Sequence, residues 1–126
     1  MLVELELEVL ESLPPKSALA DFSKSIVKWE LLLLVAKLNG NTEYGIWNYI
    51  DSLKTRTENS MTIYTFIKSR IENGSFVVVP GEKKSRKTLA LSPQLREELM
   101  TYLAARTEHT LQRSEQLRSE LMAMSA

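Results

Sequence analysis

Residues 60–91 hold two groups of side chains suited to meeting a polyanion. The first is Met61, Thr62, Tyr64, Thr65, Lys68 and Ser69, within SMTIYTFIKSRIENG. At about 100° per residue, with Ile63 turned inward, Phe66, Ile67 and Ile71 gather beside it, and those six residues fall on the outer side. Short hydroxyls and a lysine on one helix face can donate to phosphates and bond to base edges in a major groove. The second group is Lys83, Lys84, Arg86 and Lys87, in GEKKSRK between two apolar runs, FVVV and TLAL. Bases on a hairpin tip reach phosphates or enter a minor groove. The bland alternatives are a solvated helix face and a solubilising turn. Taken singly, each group is unremarkable, and it is their adjacency that favours a nucleic-acid surface.

The charge distribution supports the same emphasis. The chain has 126 residues, 16 basic and 16 acidic, and a formal net charge of zero. Residues 54–87 hold eight bases (Lys54, Arg56, Lys68, Arg70, Lys83, Lys84, Arg86, Lys87) against Glu58, Glu72 and Glu82, a local balance of +5. Residues 1–13 hold Glu4, Glu6, Glu8 and Glu11 and no base. Localised charge is the electrostatic footprint to look for in a binder of nucleic acid.

Composition bounds the rest. At 44% hydrophobic and 25% charged residues the chain reads as an ordinary globular protein, long enough for one sizeable core. With no cysteine, disulfides and thiolate metal sites are excluded. The acidic start lacks the basic n-region of a signal peptide, and the apolar run at 31–36 is too short to span a bilayer, so a cytoplasmic protein is expected. No metal or other cofactor is expected, and neither is enzymatic activity. The single histidine, His109, has no nucleophile or ligand cluster around it and reads as a lone surface residue.

The elements that must position the two groups follow from periodicity. In residues 2–13, Val3, Leu5, Leu7 and Val9 alternate with glutamates as in a strand. Leu2, Leu5, Val9 and Leu13 also line one helical face; helix is favoured, ending at Pro14-Pro15. This acidic, leucine-rich segment has no local surface on which to bury its apolar side and is expected to dock on a second subunit. Ser23 or Ser25 starts a buried helix to about Leu38, apolar nearly all round in WELLLLVAK, stopped by Asn39-Gly40-Asn41. Thr42 caps a shorter helix from about Glu43 to Leu53, with Ile46, Trp47, Ile50 and Leu53 toward the core. The polar linker KTRTENS leads to the helix of 60–73, which closes on Asn73-Gly74. Two strands and the basic turn follow, with Pro80-Gly81 as the turn dipeptide. Ser92-Pro93 opens a final helix with Glu97 and Glu98 in its first turn, unbroken to about Met124. Its leucines recur near a three-four spacing over roughly 45 Å, more than one small domain can cover. Self-association is the natural reading, with a frayed tail beyond about His109 as the alternative.

The expected fold is therefore mainly α with a small β-hairpin wing: a winged helix-turn-helix domain (23–92) between an N-terminal docking and dimerisation segment (1–22) and a C-terminal dimerisation helix (93–126). From Trp29 to Leu99 the order of elements resembles the MarR and PadR families of winged-helix transcriptional regulators. The likeness rests on WELLLLVAK, on TIYTFIKSRIENG closing at Gly74, on the basic run KSRK and on TLALSPQLREEL. It implies a homodimer with two reading helices in successive major grooves of double-stranded DNA, and arginine contacts that fall on Arg86. It also implies a small aromatic effector, for which Trp29, Tyr44, Trp47 and Tyr102 are the lining candidates, and regulation, with repression the expected act. The chain departs from the pattern at Ser85, where the families usually carry Asp, and at Arg70, where they carry an apolar residue one position before Ile71. The competing reading is a winged helix used for protein interaction or assembly, for example in replication or partition, without operator binding.

Overall fold

A computed structural model describes residues 3–4, 7–8, 17–80 and 87–125. It is mainly helical, with one two-stranded antiparallel hairpin. The elements are α1 (Ala18–Phe22), α2 (Ile26–Leu38), α3 (Ile46–Ser52), α4 (Ser60–Glu72), β1 (Phe76–Pro80), β2 (Lys87–Leu91) and α5 (Pro93–Met124).

Local chemistry accounts for where the helices begin and end. The side chains of Ser17, Ser25, Asn59 and Ser92 each accept a backbone N–H at a helix start, satisfying amides the helix cannot. Pro93 follows Ser92 at the first turn of α5, where a missing N–H costs nothing. At the end of α2, Asn39 (φ 41°) and Gly40 (φ 78°) both adopt left-handed backbone, and the Asn39 N–H closes on the Val35 carbonyl. The sequence expectation for α3 is corrected. Gly45, not Thr42, is its N-cap, and the Asn48 side chain accepts the Gly45 N–H at 2.8 Å. The expectation of acids in the first turn of α5 is also corrected: that turn has none, and Glu98, further along, accepts the Leu19 N–H at 3.1 Å.

One core joins these elements. Leu19 and Phe22 of α1, Val27, Leu31, Leu32 and Val35 of α2, Ile46, Tyr49 and Ile50 of α3, and Ile63 and Ile67 of α4 are buried together with Phe76, Leu89, Leu91, Leu95 and Leu99. Residues on both sides of positions 22 and 92 thus share one interior. Phe22 sits edge-on to Phe66 at 5.5 Å and tilted against Phe76 at 5.3 Å. Trp47 was expected in this core but is 47% exposed, and Tyr49 takes the inward place.

The hairpin register pairs Phe76 with Leu91, Val78 with Leu89 and Pro80 with Lys87. Its return strand is tied to the segment between α2 and α3. The Gly40 N–H donates to the Leu89 carbonyl at 3.1 Å, and the Thr88 hydroxyl to the Tyr44 carbonyl at 2.7 Å. The Tyr49 hydroxyl accepts from the Leu89 N–H and donates to its carbonyl, both at 3.3 Å. Burial pushes the Tyr49 phenol above its ordinary value, against the lowering effect of the bond to Leu89 and with a smaller contribution from Tyr44, so the hydroxyl keeps its proton. A Cβ at Gly40 would meet Val79 at 3.6 Å and Ala90 at 4.0 Å, so the end of α2 lies directly on the hairpin.

Candidate nucleic-acid interface

The surface begins with how α4 is held. Ile63 and Ile67 are buried, and Phe66 and Ile71 pack partly beneath them, so the inward stripe is the one the periodicity indicates. The linker into α4 is fixed by Glu30, a carboxylate on the otherwise apolar α2. It accepts the Lys54 N–H at 2.9 and 3.0 Å and, at 2.9 and 2.8 Å, the Thr55 N–H and hydroxyl. Burial raises the Glu30 pKa, yet these donors and the Lys54 charge together hold it below the ordinary carboxylate value. Backbone amides in the turn between α3 and α4 need acceptors, and one side chain from α2 supplies them.

On the far side of α4, Met61, Thr62, Thr65 and Lys68 are exposed, Met61 at 60%. The Thr62 hydroxyl donates to the Asn59 side chain at 3.0 Å, and that of Thr65 to the Met61 carbonyl at 2.9 Å. Both hydroxyls lie on the exposed face with lone pairs to offer a ligand. Tyr64 is half-buried. Its ring stacks on Trp47 of α3 at 4.9 Å with planes 5° apart, and Lys68 Nζ lies 5.7 Å from its centroid. Ser69 is half-buried, its hydroxyl donating to the Phe66 carbonyl at 2.6 Å and accepting from Arg70 Nε at 3.2 Å.

Arg70 is explained by its neighbours. Its guanidinium forms an ion pair with Asp21 of α1 and lies 5.3 Å from the Phe66 ring centroid. A cation that bridges two elements and covers an aromatic face does the packing work of an apolar side chain. The count of +5 over 54–87 stands, but Arg70 within it is engaged with Asp21 and Phe66. Lys54, Arg56, Lys68 and Lys87 are exposed. Lys83, Lys84, Arg86 and Ser85 lie outside the described residues. Lys87 closes the described hairpin opposite Pro80. Arg56 was not singled out from the sequence, although it belongs to the basic run. Its Nη1 donates to the Ser60 hydroxyl at 3.0 Å, which places a cation at the start of α4.

The proposed effector residues separate into ring pairs. Trp29 meets Tyr102 edge-on at 5.5 Å, Tyr44 meets Tyr49 at 6.1 Å, and Trp47 stacks on Tyr64. The structure does not bring the four into one cluster. A polar groove of about 360 Å³ is lined instead by residues such as Ser17, Asp21, Asn73 and Gln94.

The N-terminal residues approach α5 at His109. Val3, Glu4, Leu7 and Glu8 are helical, and Glu8 Oε2 lies 3.5 Å from His109 Nδ1, without hydrogen-bond geometry. The reading of His109 as a lone surface residue is corrected: its side chain is 17% exposed and faces the acidic N-terminal residues. The N-terminal segment therefore has a local surface at this point, within its own chain, although Val3 and Leu7 remain exposed. On α5, Tyr102, Ala105, Arg113 and Gln116 are half-buried and fall within about 40° of His109 at about 100° per residue. Met100, Leu111, Leu121 and Met122 are exposed and fall within about 60° of the opposite direction, with Leu117 on the flank.

Among the described residues no helix is long and apolar enough to cross a membrane, and no group of side chains could hold a metal ion. No protein-family model, no curated protein and no solved structure matches the chain.

Proposed function

We propose that this chain is a sequence-specific, double-stranded DNA-binding regulator of the winged helix-turn-helix type, acting as a homodimer. The observation that carries the reading is α4. Its inner face is locked by Ile63, Ile67 and the Glu30-anchored linker, while Met61, Thr62, Thr65 and Lys68 are exposed, as is Arg56. A rigid helix with a short, polar, cationic outer face is what a major groove accepts. On this reading α3 crosses the backbone, α4 enters the groove, and the hairpin of β1 and β2 is the wing. The exposed apolar side of α5 supplies the contact between two copies, as an apolar patch of this kind marks an interaction surface.

Selection of bound fragments from genomic DNA, run beside light scattering, tests the reading. The expected result is enrichment of a pseudo-palindromic site by a dimer, with weaker, salt-sensitive binding to random duplex. A protein that enriches nothing and shows no duplex binding at low salt, yet remains dimeric, supports the second reading, an interaction or assembly module. The observation that favours this second reading is the same exposed apolar face of α5.

A further inference from the structure

The stack of Trp47 on Tyr64 lies at the edge of the core: Tyr64 packs partly against it, whereas Trp47 is 47% exposed on the first turn of α3, and the stack ties α3 to α4. Resting on the DNA-binding reading, we infer that Trp47 is a direct contact to the sugar-phosphate backbone, its indole N–H donating to a phosphate and its open edge lying against deoxyribose.

Placement and chemistry both support this assignment. In a helix-turn-helix the helix before the reading helix crosses the backbone, and α3 occupies that position relative to α4. An exposed indole is a costly surface group unless its apolar body and single polar donor meet a partner that is apolar in one part and an acceptor in another. Deoxyribose beside phosphate is such a partner. The parallel stack, with planes 5° apart, fixes the indole's orientation, so little side-chain freedom remains to be lost on binding. Lys68, 5.7 Å from the Tyr64 centroid, adds a cation on the same patch and keeps it facing a polyanion. A second protein with an apolar surface would gain little from a patch whose edge carries that charge.

The inference separates from a lysine contact by its salt dependence. Lys68 as a cation releases counterions on contact, so Lys68→Ala should reduce the slope of log affinity against log salt by about 0.9. The Trp47 N–H is neutral. Trp47→Phe keeps a ring for the Tyr64 stack and removes only the donor and part of the edge. It should lower duplex affinity about three- to tenfold, the effect of one neutral hydrogen bond, while leaving the salt slope and the thermal midpoint unchanged. The experiment is a duplex titration at several salt concentrations with Trp47→Phe, Lys68→Ala and the parent. It is run beside tryptophan emission of Trp29→Phe, in which Trp47 is the remaining tryptophan. Quenching or a shift of Trp47 emission by duplex, together with a weaker affinity at unchanged slope, is expected. Duplex binding that leaves both the emission and the Trp47→Phe affinity unchanged overturns this inference and spares the DNA-binding reading. A reduced slope for Trp47→Phe also overturns it, since the change would then act by displacing Lys68. Emission that responds to protein dilution but not to duplex assigns the stack to a protein contact instead. Absence of duplex binding at low salt removes the DNA-binding reading and this inference together.

Discussion

Two helices of this molecule leave one long side uncovered, and the uncovered sides are opposites. The outer face of α4 is hydroxyls, a thioether and a lysine, whereas the uncovered side of α5 beyond Tyr102 carries Leu111, Leu121 and Met122 among Thr107, Ser114, Glu115 and Arg118. Water solvates the first at little cost. The second loses about 25 cal/mol for every Å² of apolar surface it leaves wet, so it gains from any apolar partner. The inner sides differ as well. α4 is bound to the core by buried isoleucines along its length, whereas α5 is bound there only by its first three turns, through buried Leu95 and Leu99 and half-buried Tyr102 and Leu103. The lesson is that one helix is fixed by its own chain and offers polarity, while the other is under-supported by its own chain and offers hydrophobic area. The exposed polar face of α4 and the exposed apolar residues of α5 thereby lie on different elements.

The strongest way to break this contrast is to remove equal volumes from both helices. Ile67→Ala should cost about 3 kcal/mol in denaturant unfolding, as expected for a fully buried aliphatic side chain. Leu111→Ala should change the stability of an isolated subunit by no more than about 0.5 kcal/mol. Similar costs at the two sites would show that α4 is not anchored as described.

The apolar side of α5 can be tested directly by charge. Leu117→Glu combined with Leu121→Glu should leave subunit folding intact and weaken self-association by roughly 100-fold, about 2.7 kcal/mol, seen by sedimentation equilibrium. A parent protein that is already monomeric at tens of micromolar, or a double variant that dimerises as tightly, would remove the assignment of this face to a second copy.

Much of the core was legible because periodicity carries it. The inward set of α4 and the buried helix stopped at Asn39-Gly40 follow from spacing and from backbone preference. The misplacement of Trp47 is instructive. Ile46, Tyr49, Ile50 and Leu53 fit the i, i+3, i+4, i+7 spacing of an inward stripe, whereas Trp47 lies about 100° round the helix from Ile46, at the edge of that stripe. Three-dimensional partners were not legible. Nothing in WELLLLVAK signals that its glutamate will accept from Lys54 and Thr55, because those amides are 24 and 25 residues away. Likewise Arg70 looked like a surface cation or a break in the apolar pattern until Asp21 and Phe66 stood beside it. The outer face of α4 was visible as a set of residue types, but its aromatic stack with α3 needed the crossing of two helices.

Glu30 offers a finer test of how α4 is fixed. Glu30→Gln retains one acceptor and loses the charge, and should cost about 1–2 kcal/mol after allowance for solvent at this half-exposed group. The pH dependence has a definite sign. The folded-state pKa of Glu30 lies below its ordinary value near 4.5, so its contribution is fully present above that value and is lost as pH falls through the depressed one. The parent and Glu30→Gln should therefore differ most in thermal midpoint at neutral pH and converge as pH falls through the depressed value. A difference that is constant across this range would mean the charge of Glu30 does not hold the linker.

The smallest expected effect sharpens the polar half of the contrast. Thr65 is exposed on α4 and its hydroxyl is bonded only to the Met61 carbonyl one turn back. Thr65→Val removes the hydroxyl at nearly constant volume, and its effect on stability should stay within about 0.5 kcal/mol, since a mid-helix threonine bond of this type adds little. If the hydroxyl meets a base edge, the same change should lower affinity for the selected site by about 1 kcal/mol, roughly fivefold, and leave affinity for random duplex and the salt slope alone. Equal losses on selected and random duplex would assign Thr65 to the backbone and move base reading elsewhere on α4. That outcome would leave the polar face facing DNA but turned by part of a helical revolution, with Met61 and Thr62 the next positions to exchange.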